Sequence, residues 1–255
     1  MSPWLEHILA QALPVGLRAG GMMTFAPFFG GDAVPNRVKA GFTIVLTALL
    51  YGVNPAPNVP LTLAYWVRTA LSEAVIGLAI GLSVQLTFEG MQIAGQIAGA
   101  QLGFSLASII DPQTNIETPV LSIFHQMIAL LLFLQLDVHH WLIRTVAKSF
   151  EYLPVGTNLV TLMSVRELFR AAGGMWLLGV QIAAPVLLAT MLVDITVGFL
   201  NKASPQLPAM LVGISVKNLT GYIVLAASIA LWPSLLEKHF ADAVGWTERL
   251  LHLVR

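Results

Sequence analysis

The sequence predicts an all-α integral membrane protein: about five to seven long apolar helices, broken at Pro/Gly loops and packed on one another. Three observations predict it. The chain is 56% hydrophobic and 10% charged, with a mean hydropathy of +0.79, whereas a soluble domain has about 25% charged residues to cover its surface. Its apolar runs are long and continuous, unlike the alternating segments of about ten residues that build an outer-membrane barrel. Clusters of Pro, Gly and Asn punctuate those runs, and such clusters end helices. No internal repeat is visible, so residues 1–255 read as a single helical domain.

The first apolar run spans Ile8 to Phe29 and stops at "GGDAVPNRVK". The opening "MSPWLEHILAQ" lacks the positively charged start of a cleavable signal, so this run is expected to remain in the mature protein. A shorter run, Ala40 to Val53, ends at the proline-rich "NPAPNVP". Leu61 to Asp111 is free of proline and pairs an apolar half, Ala70 to Phe88, with a Gln/Gly-rich half. "DPQTNIETP" breaks the chain again, and Thr118 followed by Pro119 reads as an N-cap with proline in the first helical position. Val120 to Leu136 ends at "DVHHW", and a more polar stretch then crosses "KSFEYLPVGTN". Ser164 with Glu167 three residues on forms a capping box. Two strong apolar runs follow, Met175 to Leu200 and Ala209 to Trp232, joined by "NKASPQLP". The tail beyond Pro233 spaces apolar residues among Glu237, Lys238, Asp242 and Glu248, as an amphipathic helix does.

Within "QIAGQIAGAQLG" the polar residues form a stripe. With Gln92 at zero on a wheel of about 100° per residue, Gln85, Glu89, Gly95, Gln96, Gly99 and Gly103 fall within roughly 60° of it, and Gln101 lies opposite. Glycine at every fourth position admits a close neighbouring backbone, and amides hydrogen-bond across such a seam. The spacing is satisfied equally by a helix-packing stripe and by the wall of a subunit interface or a water-containing passage.

Arg18, Glu73, Asp194 and Lys217 sit well inside apolar runs. A charge at the centre of an inserting helix costs about 2.5–3.5 kcal/mol, so these groups are expected to be paired or to face protein or water. Asp194 and Lys217 are the expected pair because their segments are consecutive.

Charge and composition exclude several classes. Thirteen basic residues balance thirteen acidic ones, and no basic patch points to nucleic acid. The absence of cysteine removes disulfides and thiolate metal sites. His139 and His140 are adjacent, and helix neighbours point about 100° apart, so no metal site is expected there. His125, in an apolar run, reads as a packed, hydrogen-bonded residue. No G-x-S-x-G, H-E-x-x-H or phosphate-binding loop is present, so neither catalysis nor a cofactor is expected.

Four segments in order along the chain carry a resemblance: "LRAGGMMTFAPFFGGDAVPNRVKAGF" (Leu17 to Phe42), "GQIAGAQLGFSLASIIDPQ" (Gly95 to Gln113), "LDVHHWLIRTVAKSFEYLPVG" (Leu136 to Gly156) and "APVLLATMLVDITVGFLNKASPQLPAMLVGISVK" (Ala184 to Lys217). Together they resemble the FliR/SctT family, the export-gate membrane proteins of flagellar and virulence type III secretion, with the flagellar branch the closer. The chain departs from that pattern after the loop motif Pro205-Gln206, where Leu207-Pro208-Ala209-Met210 replace the family's usual Asn and following residues. It departs again at Ser215, often Pro in the family. Those departures bear on local helix breaks.

The resemblance implies a subunit of the bacterial inner membrane, multi-pass, in the basal body of a flagellum or secretion apparatus. It implies FliP/SctR-like and FliQ/SctS-like gate partners, an FlhB/SctU-like switch protein docked on the gate, membrane lipid around it and unfolded secreted proteins as cargo. It also implies that the region from Phe104 to Pro119 is a pore plug, involving Phe104, Ser105, Asp111, Pro112, Gln113, Thr114 and Asn115, and that the Gln/Gly stripe faces subunits and the channel. Two other readings of the residues compete. One is a secondary transporter for a small solute working through Glu73, Asp194 and Lys217, since broken helices and buried charges mark such proteins. The other is a membrane scaffold with no passage.

Overall fold

The structure, a computed structural model, describes residues 3–27, 34–53, 62–104, 120–155, 165–204 and 209–252. These form helices and the turns between them, with no strand among the described residues. In chain order the helices are α1 (Pro3–Phe25), α2 (Asn36–Leu50, followed by a 3-10 turn at Tyr51–Val53), α3 (Leu63–Gln101), α4 (Val120–Gln135), α5 (Val138–Tyr152), α6 (Val165–Ala203), α7 (Ala209–Ser228, followed by a 3-10 turn at Ile229–Leu231) and α8 (Trp232–His252).

Most of these helices coincide with the apolar runs. The two halves of the proline-free region are one helix, α3, of 39 residues. α6 also runs 39 residues, continuing through Pro185, which removes one backbone donor without ending the helix. The polar stretch after Val138 folds as α5, which hydropathy alone passes over. It buries Val138, Leu142, Thr145, Val146, Ser149 and Phe150, a spacing of three and four residues that lays one face on the core.

Among the described residues there are fewer candidate spans than helices. Among the described residues three stretches are long and apolar enough to cross a membrane: Leu63–Gln101, Phe169–Ala203 and Val212–Thr247. α4 and α5 qualify only as one broken pair. α2 has 15 residues, a length of about 22 Å at 1.5 Å per residue against about 30 Å of hydrocarbon.

The chain falls into two compact units. One comprises Met1–Leu86, Phe133–Ala172 and Phe240–Arg255, and the other Thr87–Leu132 and Gly173–His239. In the first unit α1 and α3 meet backbone to backbone. A Cβ added at Gly21 would lie 2.6 Å from the Ala74 carbonyl oxygen, and one at Gly77 would meet the carbonyl oxygen of Arg18. Phe133 and Phe240 pack edge to face with centroids 5.9 Å apart.

In the second unit α3 is the helix on which others close. A Cβ at Gly95 would fall 2.5 Å from Ser122 Cα on α4, and one at Gly90 would fall 2.8 Å from the Met175 carbonyl oxygen on α6. His125 of α4 lies against the Trp232 ring with centroids 4.7 Å apart. Its Nδ1 is 2.7 Å from the Leu121 carbonyl oxygen. A carbonyl only accepts, so Nδ1 carries the proton, and His125 is the packed, hydrogen-bonded residue its apolar setting suggests.

Candidate functional site

The polar stripe of α3 resolves residue by residue. Gly95 is buried against the α4 backbone, as its missing Cβ permits. Beside it the Gln92 side-chain oxygen accepts a hydrogen bond from Gln126 Nε2 at 2.9 Å. The Gln92 backbone oxygen accepts another from Ser122 Oγ at 3.2 Å. Gln126 is the α4 partner that the wheel could not supply, because a wheel describes only one helix. Gly99 is also buried, Gln85 and Glu89 are half-buried, and Gln96 is exposed. Gly103 ends the helix in the left-handed region at φ 77°, the usual position for a C-terminal glycine. Part of the stripe is thus a packing seam with α4, and Gln96 looks outward.

Phe104 stands at the end of the described stretch, exposed, with its ring edge-on to Tyr222 at 6.5 Å between centroids. The rest of the expected plug, Ser105, Asp111, Pro112, Gln113, Thr114 and Asn115, lies outside the described residues. So do Thr118, Pro119, Ser164 and the loop motif Pro205-Gln206.

The four charges set in apolar helices form two pairs. Arg18 Nε donates to Glu73 Oε2 at 2.6 Å, and both side chains are 0% exposed. Nη1 donates to Ser149 Oγ at 2.8 Å and Nη2 to the Leu153 carbonyl oxygen at 3.1 Å. The guanidinium carbon sits 3.9 Å from the centroid of the Phe150 ring, a cation–π contact strengthened by the absence of water. Guanidinium presents its donors in a rigid planar fork, so this one side chain ties α1 to α3 and to the end of α5. The sequence shows two buried charges of opposite sign in separate segments. It does not show that Ser149, Phe150 and Leu153 complete the cage, since the first two belong to the helix that hydropathy missed and Leu153 caps its end.

The second pair is Lys217 Nζ with Asp194 Oδ2, 2.6 Å apart. Here Asp194 is 54% and Lys217 20% exposed. Around it α6 and α7 present Met191, Leu192, Ile195, Val216 and Leu219 to the outside. An ion pair set in an exposed apolar face suits neither water nor lipid. Water does not favour so wide an apolar patch, and hydrocarbon does not favour the charges.

The histidine pair departs from expectation. His139 and His140 lie in the first turn of α5, where no preceding turn restricts their χ1 angles. Their rings stack with centroids 4.1 Å apart instead of diverging. Asp137, just before them, joins the group: its carboxylate and the two imidazoles place three potential ligand atoms within 4.8 Å of one another.

Comparison with known proteins places this geometry in context. Residues 9–243 match the bacterial export proteins, family 1. The flagellar biosynthetic protein FliR of Escherichia coli (strain K12) is 30% identical over 239 residues, covering 94% of this chain and 91% of that protein. FliR of Bacillus subtilis (strain 168) is 28% identical over 246 residues, 95% of each. FliR of Aquifex aeolicus (strain VF5) is 27% identical over 238 residues, 93% of this chain and 92% of the relative. A match over nearly the whole length, joined to an all-helical build with long apolar helices, leaves one assignment: the chain belongs to family 1 of the bacterial export proteins, the FliR family, and is a membrane protein of flagellum biogenesis.

Proposed function

We propose that the chain is a subunit of the type III export gate of the bacterial inner membrane. With FliP- and FliQ-like partners it forms the channel through which unfolded flagellar proteins leave the cytoplasm. An FlhB-like protein docks on that gate, and residues 104–119 act as its plug. The work is passage and gating rather than catalysis.

One observation carries this reading: the exposed apolar faces of α6 and α7 with the Asp194–Lys217 pair set into them. Of an apolar 18-residue stretch within each, only 33% is buried within the chain for Phe169–Ala203 and 28% for Val212–Thr247, against 56% for α3. A protein partner can cover apolar side chains and also hydrogen-bond an ion pair, which lipid cannot do. The exposed amide of Gln96 supports the channel reading, since a wall of amides and small residues lets varied side chains pass without holding any of them. A polar, proline-broken plug loop can change conformation without unpacking the helices that flank it. Glu73 is engaged by Arg18 and Asp194 by Lys217, which leaves the solute-transporter reading without a specific observation in its favour.

The test uses tagged protein co-expressed with FliP- and FliQ-like partners and extracted in mild detergent. Native mass is expected to show a discrete complex containing one copy of this chain. Removing Asp111 to Glu117 is expected to leave that mass changed only by the deletion and to make reconstituted complexes leak small solutes. A chain recovered without partners would overturn the subunit reading. An assembled deletion variant that stays impermeable would overturn the plug assignment alone.

A further inference from the structure

We propose that Asp137, His139 and His140 bind a divalent transition cation of the Zn2+ or Ni2+ class at the break between α4 and α5. Three features of the break point the same way. Asp137 adopts φ 56° and ψ 26°, the one left-handed non-glycine backbone among the described residues. Asp tolerates that region better than most residues, but it remains uncommon and over-represented at functional positions.

The second feature is what the carboxylate does. Asp137 stands at the N-cap of α5, where an Asp side chain ordinarily accepts from the free backbone amides of the first turn. Here it makes no such capping bond. Its Oδ1 turns to the imidazoles instead, 3.2 Å from His140 Nδ1 and 3.9 Å from His139 Nε2. The helix start itself is held by backbone bonds, with His140 N–H donating to the Asp137 carbonyl at 2.9 Å. An ion would take the place of the proton that His140 Nδ1 donates to Oδ1, and the backbone bonds would keep the turn intact.

The third feature is the pair of rings. Their stacking at 4.1 Å brings two nitrogen donors to the same side as the oxygen, all three ligand atoms lying within 4.8 Å of one another. A tetrahedral ion with bonds of about 2.0–2.2 Å holds its ligand atoms about 3.3–3.6 Å apart. The gap closes by small side-chain rotations, which these residues can make because their side chains are 66%, 31% and 58% exposed in chain order.

The donor set decides the class of ion. Two imidazoles and one carboxylate suit zinc, nickel or copper, whereas magnesium and calcium prefer all-oxygen cages. Three protein ligands leave the remaining positions to water, so the ion is exchangeable. The buried Nδ1 of His139 has no hydrogen-bond partner among the described residues. A bound His139 thus lacks the acceptor that usually strengthens a metal-ligating imidazole, which places the site among modest rather than tight binders.

The experiment uses the full chain in detergent, purified on a tag free of histidine and stripped with a chelator. Zn2+ is titrated in competition with a chromophoric chelator, and Co2+ absorbance reports the coordination. One saturable ion per chain is expected. Each of His139→Gln, His140→Gln and Asp137→Asn is expected to weaken it at least about tenfold, while His239→Gln leaves it unchanged. Circular dichroism verifies folding, and the exposed His140 gives a variant that does not touch the core. Absence of a saturable site in the parent chain, or undiminished binding by the triple variant, would overturn the proposal.

Discussion

Arg18 is held by three hydrogen bonds to three separate points of the chain, and each bond has a different energetic standing. The bond to Glu73 is a charge pair with no access to water, so its attraction is offset by a large desolvation cost. The bonds to Ser149 and Leu153 satisfy donors that would otherwise be stranded. Removing one partner of such a pair costs about 3–5 kcal/mol, whereas replacing both by apolar groups of similar volume is often near neutral. Arg18→Ala is therefore expected to lower the thermal midpoint in detergent sharply. Arg18→Met with Glu73→Leu is expected to lose far less, as read by tryptophan fluorescence. Equal loss in the two variants would mean that the hydrogen-bond cage, not the charge, holds the helices. At this scale the sequence shows which charges need partners, because a lone intramembrane charge is costly wherever it lies. Consecutive segments make Asp194 and Lys217 an obvious pairing to consider, and the two are in contact. Arg18 and Glu73 are 55 positions apart, with another helix between them in sequence, so their pairing is visible only in three dimensions.

The helices illustrate what each kind of sequence signal can carry. Continuous apolar runs mark α3, α4, α6 and α7, and proline clusters mark the breaks between several of them. α5 escapes hydropathy because its buried positions include Thr145 and Ser149 and its outward positions include Arg144, Lys148 and Glu151. Its three- and four-residue spacing was nevertheless present in the sequence. The glycine pattern of α3 shows that something approaches closely, but not which helix does so. That information is in the geometry: α4 reaches Gly95 and α6 reaches Gly90. Gly95→Ala places a methyl group against the α4 backbone and is expected to cost about 1–3 kcal/mol through overpacking. Gly173→Ala, which meets nothing within 4 Å, is expected to be neutral or to stabilise α6 by about 0.5–1 kcal/mol. Thermal melts of the isolated chain compare the two. Similar shifts of the same sign would show that the seam is looser than its contacts indicate.

For the whole molecule, the decisive feature is the surface that the chain cannot cover for itself. Leu188, Leu192, Phe199 and Leu219 are 69%, 66%, 72% and 64% exposed, and the Asp194–Lys217 pair lies in the same region of α6 and α7. Composition makes a water-facing surface untenable, and the ion pair argues against plain hydrocarbon. What composition cannot distinguish is a lipid neighbour from a protein neighbour, since both favour apolar side chains. The cysteine-free chain allows that distinction to be made in cells. Single cysteines at Leu192 and Leu219, cross-linked in membranes that contain FliP- and FliQ-like proteins, report what touches these faces. Cross-links to a partner subunit from both positions, with slow labelling by a lipid-soluble maleimide, are the predicted result. Rapid labelling at both positions without any cross-link to protein would contradict it, because the faces would then be open to the bilayer.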